Sequence, residues 1–235
     1  MPLWSDRTSA GAEVLDATDQ AVGPVASTVG ALGVWRAWQV LPGMPARRLY
    51  LAQVDAATDA DLPAVRARLH EALTVLDDPE PLVGAFAEPE ELSGELHLVL
   101  TVGELIWAAT PGRVVQVAGS VPPGAGAATR LDGTAREVVA GYLRDGWPMI
   151  STDRMDVDRY EPSLGVVVPT GYRTDGEWVW SEAVEYYLRV HGVAPESGLV
   201  RQVDRFDGVV PEINSVDVHR VLRRLRDHLD REATR

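Results

Sequence analysis

In residues 33–54 and again in 82–118 the apolar residues come in short runs broken by glycine, proline or acidic residues, a pattern that reads as several short strands on either side of one helical stretch. Residues 33–54, GVWRAWQVLPGMPARRLYLAQV, hold two β-rich runs around a Pro/Gly turn, with aromatics at Trp35, Trp38 and Tyr50, and predict a hairpin. One helical stripe follows. After an acidic start at Asp59 and Asp61, the residues Leu62, Val65, Leu69, Leu73 and Leu76 recur at helical spacing, and Asp77, Asp78 and Pro79 mark the stop. From 82 to 118, PLVGAFAE and then ELHLVLTVGELIWAATPGRVVQVAG read as strands punctuated by Val-Gly and Pro-Gly. The expectation is an antiparallel meander with the helix packed on one face. That is α+β architecture, antiparallel sheets with packed helices, because the strands succeed one another without helices of crossover length.

GSVPPGAGAA, residues 119–128, is the long Pro/Gly/Ala-rich stretch in mid-chain and the expected boundary between an N-terminal α+β sub-domain, 1–120, and a C-terminal one, 129–235. Whether the two share one core is left open. A helix is expected at about 132–145, with Ala135, Val138, Val139 and Tyr142 on one face and Gly146 as its stop. Then come a strand candidate at GVVVP, an Asp175-Gly176 turn and the run Trp178-Val179-Trp180. Ser181 can cap a helix ending at His191: Glu182 and Glu185 occupy its first turn, Arg189 and His191 its last, and Gly192 and Pro195 follow. A final helix from Ser215 to about Arg231 aligns Val218, Val221, Leu222, Leu225 and Leu229.

Composition narrows the chemistry. Cysteine is absent, so disulfides, thiolate metal ligands and cysteine nucleophiles are excluded. Lysine is absent too, and the all-arginine positive charge beside abundant Ala, Gly and Val fits a high-GC coding bias. With 35 acids against 22 bases the net charge is −13. A phosphate backbone is repelled by such a field, so a nucleic-acid partner is not expected, whereas encounter with a basic protein is favoured. The first twenty residues show no basic region leading into an apolar run, and hydrophobic stretches are interrupted well short of the roughly 18–20 residues of a membrane span. The expected location is the cytoplasm, with no membrane partner.

No sequence pattern of a catalytic or metal centre is present. His219 and His228 sit nine residues apart on one helix, hence on opposite faces, and His70, His97 and His191 stand alone in sequence. Asp153, Asp156 and Asp158 invite a divalent cation, but their spacing misses the calcium loop and Arg154 and Arg159 interleave them, which favours a solvated loop. The glycine-rich Gly124 to Thr129 matches two of three positions of a dinucleotide fingerprint, yet Pro122 and Pro123 separate it from the preceding strand, and a linker is expected instead. The G-x-S-x-G elbow is missing and a phosphate-binding P-loop lacks its lysine. The arginines at 220, 223, 224 and 226 are diluted by Asp217, Asp227, Asp230 and Glu232 and read as a salt-bridged face. No cofactor is called for. Acidic pairs converging only in the fold leave no local pattern, and Asp153, Asp156, Asp175 and His191 are the groups to examine for an enzyme or small-ligand site.

Trp178 and Trp180 alternate on a strand and so share a face, with Tyr186 or Tyr187 beside them. Such a cluster is either core or, if exposed, an anchor for a partner or a second copy of the chain. Thr174, Asp175, Gly176, Trp178, Trp180, Tyr186, Tyr187, Leu188, His191 and Gly192 carry a pattern that resembles uncharacterised proteins of high-GC Gram-positive bacteria, T-D-G-x-W-x-W-P followed by Tyr-Tyr-Leu and His-Gly. Ser181 replaces the proline, and the match spans about residues 165–200. Some of those proteins look like members of toxin–immunity neighbourhoods. The acidic charge, the aromatic clusters and the lack of a convergent catalytic set point to a non-enzymatic interaction protein, and the resemblance adds the expectation of an immunity protein covering a toxin's active site, with Trp178, Trp180, Tyr186, Tyr187 and Asp175 as its candidate contact residues.

Overall fold

The computed structural model describes residues 3–5, 15–58, 61–74, 81–119 and 130–234. Asp59, the helix end from Leu76 to Pro79, and the Gly124 to Thr129 match with its prolines lie outside these residues. The chain is α+β and divides into two compact units, Met1–Gly112 and Arg113–Arg235.

In the first unit the order is β1 (Leu3–Ser5), α1 (Ala17–Thr28), β2 (Ala31–Val40), β3 (Arg47–Val54), α2 (Leu62–Thr74), β4 (Leu82–Phe86), α3 (Gly94–Val102) and β5 (Glu104–Ala108). The expected hairpin is β2 with β3, antiparallel from Ala31↔Val54 to Gln39↔Arg47. The meander is not formed. β4 lies parallel to β3, with α2 serving as the crossover, and β5 returns antiparallel to the start of β2 while β1 pairs with its end. ELHLVLTV is helix rather than strand, because the Ser93 hydroxyl accepts the Leu96 N–H at its start, Glu95 sits in the first turn, and Val99 is buried against the sheet. Period-two leucines lost to end signals and tertiary packing.

α1 begins in a reciprocal cap: Asp16 Oδ1 accepts the Asp19 N–H at 3.0 Å and Asp19 Oδ2 accepts the Asp16 N–H at 3.3 Å. Val22 and Ala26 of α1 and Val65, Leu69 and Leu73 of α2 pack on Val34, Tyr50, Ala52 and Val54. The α2 stripe is thus the one its spacing predicts. Burying each of its large side chains is worth about 1.5–3 kcal/mol relative to exposure.

The second unit runs β6 (Gln116–Ala118), α4 (Gly133–Asp145), β7 (Trp147–Ile150), β8 (Met155–Val157), β9 (Val166–Pro169), β10 (Tyr172–Thr174), β11 (Trp178–Ser181), α5 (Glu182–His191), α6 (Ser197–Arg205) and α7 (Ser215–Ala233). β6, expected from sequence within the N-terminal sub-domain, pairs parallel with β11 in the sheet order β6-β11-β10-β7. Trp180 and Ala118 face Tyr142, Leu143, Val184, Leu188, Leu199 and Val203, while Val179 points the other way to Val221 and Leu225 of α7. Helices therefore cover both faces of this sheet. On α4 the buried stripe is Val139, Ala140, Tyr142 and Leu143; Ala135 and Val138 are exposed, one step round from the expected face.

β7 and β10 continue into β8 and β9 as the two legs of one bent hairpin. The pairs run Trp147↔Thr174, Pro148↔Arg173 and Ile150↔Tyr172, then Met155↔Pro169 and Asp156↔Val168. Between them the Thr170 hydroxyl donates to the Arg154 carbonyl at 2.9 Å.

Candidate functional site

The tip of that hairpin is held on α5 by a buried carboxylate. Asp158 is fully buried; its Oδ1 accepts the backbone N–H groups of Tyr160 (2.8 Å) and Glu161 (2.9 Å), and its Oδ2 meets the Tyr186 hydroxyl at 2.9 Å and His191 Nε2 at 2.7 Å. Tyr160 stacks on His191 with ring centroids 5.4 Å apart, and the Tyr187 hydroxyl accepts the Arg159 N–H at 3.3 Å. Burial opposes ionisation of Asp158, but the hydrogen bonds from His191, Glu161, Tyr160 and Tyr186 outweigh it and bring its pKa down to about 2. The same arrangement pushes the Tyr186 hydroxyl up, through burial first and the adjacent Asp158 second.

The acidic triplet is therefore split. Asp153 is exposed in the loop before β8, Asp156 is exposed but sits on strand β8 rather than in a loop, and Asp158 is an internal anchor. Sequence reasoning missed this role because the partners of Asp158 lie 28 and 33 residues away. The local signal available was the Asp-x-Tyr-Glu-Pro turn, which draws the Tyr160 and Glu161 amides onto the side chain.

Asp175 is buried in a second knot. Its Oδ1 accepts the N–H groups of Glu177 (2.9 Å) and Trp178 (2.6 Å), closing the predicted Asp-Gly turn, and its Oδ2 accepts the Tyr142 hydroxyl at 2.6 Å. Burial, then Asp175, raises the Tyr142 pKa. Glu177 beside it is exposed enough to gather Arg113, Gln202 and Arg205.

Asp175 and His191 are thus engaged separately, by Tyr142 and by Asp158, while Asp153 and Asp156 lie on the outside of the hairpin. The structure does not bring these four into one reacting group. Among the described residues, no three of the metal-ligating side chains form a group able to hold an ion.

Trp178 and Trp180 share a face as alternation predicts, but the face is the core side. Trp180 is fully buried with its indole N–H donating to the Leu143 carbonyl at 3.0 Å, and Trp178 is half-buried against the same cluster. Tyr186 and Tyr187 are buried in the separate cluster around Val168 and Val193. Four of the five candidate contact residues, Trp180, Tyr186, Tyr187 and Asp175, are inaccessible, and a partner meets only part of Trp178. Core is the outcome for this cluster, because each aromatic finds an internal apolar wall or hydrogen-bond partner.

In the first unit a buried network ties α1 to the sheet. Asp19 pairs with Arg36 and accepts the Tyr50 hydroxyl at 2.9 Å; Arg48 donates to the Tyr50 oxygen at 2.9 Å, grips Asp16 at 2.7 and 3.2 Å, and lies 4.6 Å from the Trp38 ring centre. Burial pushes the Tyr50 pKa up, and against the opposing effect of burial the bond with Arg48 draws Asp16 below its ordinary value.

What these anchors leave at the surface is charge and apolar edge. Met1–Gly112 carries sixteen acids against six arginines, and Arg113–Arg235 nineteen against sixteen. Glu88, Glu90, Glu91 and Glu95 form an exposed acidic run leading into α3. Trp147, Ile150, Met155 and Val157 are exposed along the outer leg of the bent hairpin. Among the described residues no helix is long and apolar enough to cross a membrane. Comparison with protein-family models, curated proteins and solved structures finds no match.

Proposed function

We propose that this chain is a non-enzymatic interaction protein whose acidic first unit binds a basic protein partner. The observation that carries the reading is the uneven charge, sixteen acids against six arginines in Met1–Gly112, with Glu88, Glu90, Glu91 and Glu95 standing exposed together. Such a field speeds encounter with a cationic surface and discriminates against acidic ones. The internal use of Asp158, His191, Asp175 and Tyr186 supports it, since these chemically capable groups hold the fold together. Neutralising a basic toxin by covering its active site, the role implied by the resemblance over residues 165–200, is the form of partnership we favour.

The test is capture of the chain with its partners from its native cells at physiological salt, wild type beside a variant with Glu88, Glu90, Glu91 and Glu95 all changed to arginine. The reading expects a stoichiometric basic protein with the wild type and its loss with the variant. Partners retained equally by both, or partners that are themselves acidic, contradict it.

A further inference from the structure

We propose that β8 is a self-pairing edge through which two copies of this chain join as an antiparallel dimer. β8 pairs with β9 on one side, and among the described residues no strand pairs with its other side. Its residues are exposed, Met155 by 47% and Val157 by 49%, and the neighbouring Val166 by 62%, so an apolar strip borders the open edge. An apolar edge strand with open amides is a template for another strand.

The backbone phase fits. Asp158 N–H donates to the Gly165 carbonyl at 3.0 Å and, on the other side of the register shift between Asp156 and Val157, the Arg154 carbonyl accepts the Thr170 hydroxyl at 2.9 Å, so the peptide groups of Arg154 and Asp156 turn toward β9 and those of Met155 turn outward. An antiparallel pair centred on Met155 sets Met155 against its own copy as a hydrogen-bonded pair. It then sets Arg154 opposite Asp156, and Asp156 opposite Arg154, in the closer, non-hydrogen-bonded positions where side chains meet at about 4.5 Å between Cα atoms.

Charge selects a second copy over other occupants. Arg154-Met155-Asp156 is its own complement when read antiparallel, giving two cross-strand ion pairs per dimer, and neither residue has an ion pair within the chain among the described residues. A strongly basic partner strand would oppose Arg154. The second unit, nineteen acids against sixteen arginines, is also close enough to neutral to approach its copy, unlike the first.

The experiment is sedimentation of the full chain over a dilution series, for the wild type, Arg154→Asp, Asp156→Arg and the double exchange R154D/D156R. Both substituted residues are exposed, and thermal unfolding verifies that each variant is folded. The expected result is a wild-type dimer, a dissociation constant raised about tenfold or more by each single reversal, which sets like charges opposite twice, and recovery in the double exchange. A chain that stays monomeric at every concentration, a dimer indifferent to the single reversals, or a β8 edge that takes up another protein's strand without self-association overturns the proposal.

Discussion

Asp158 Oδ2 lies 2.7 Å from His191 Nε2, and this contact, 33 residues apart in sequence, fastens the hairpin tip to the end of α5. Removing the carboxylate leaves the Tyr186 hydroxyl, a histidine nitrogen and two backbone amides without their acceptor in a buried site. Asp158→Ala should cost about 2–4 kcal/mol, read by urea unfolding. Asp158→Asn, which keeps the Oδ1 acceptor for the two amides, should cost less.

The same carboxylate sets an acid limit. Its pKa falls from the ordinary 3.8 to about 2 on folding, so its contribution to stability is present above pH 3.8 and is lost as pH falls toward 2. Wild-type thermal midpoints should drop across that window, and the drop should be shallower in Asp158→Asn. Equal slopes in the two proteins would contradict the assignment.

Gly146 ends α4 against the Trp180 ring, and a methyl at that position would overlap the ring's outer carbons. Its φ of −54° is open to any residue, so the cost of Gly146→Ala is contact alone, about 1–3 kcal/mol. Because Trp180→Phe removes the ring edge that collides, the double variant should be more stable than the two single costs added, in a double-mutant cycle.

In the first unit, Asp19→Ala strips a buried arginine and a tyrosine of their shared carboxylate and should cost about 3–5 kcal/mol. Tyr50→Phe removes only the hydroxyl and should cost about 1–2 kcal/mol. Combined, the two should cost less than their sum, since both break the same network.

The elements legible in sequence are those whose signals are local. Ser181 accepts the Ala183 N–H at 3.2 Å, Gly192 takes the left-handed conformation at φ 69°, and α5 spans the residues between them as its ends predict. α7 and α2 were legible from apolar spacing. α3 was not, because Leu96, Leu98 and Leu100 alternate like a strand, and that alternation masked the Ser93 cap and Glu95 that start the helix, whose packing on β2 then holds it. The parallel partners β4 and β6 are set by non-local pairing, which no short window records. At the candidate site the failure was one of exposure: Trp178 and Trp180 were placed on one face correctly, but which face met solvent depended on α4 and α6 closing over them.

The central claim, that the acidic first unit recruits a basic partner, is tested most directly by the association rate of the captured complex measured as salt is raised. The account predicts a rate that falls steeply with ionic strength and falls likewise when Glu88, Glu90, Glu91 and Glu95 are reversed. A rate independent of salt and untouched by those four substitutions would contradict it.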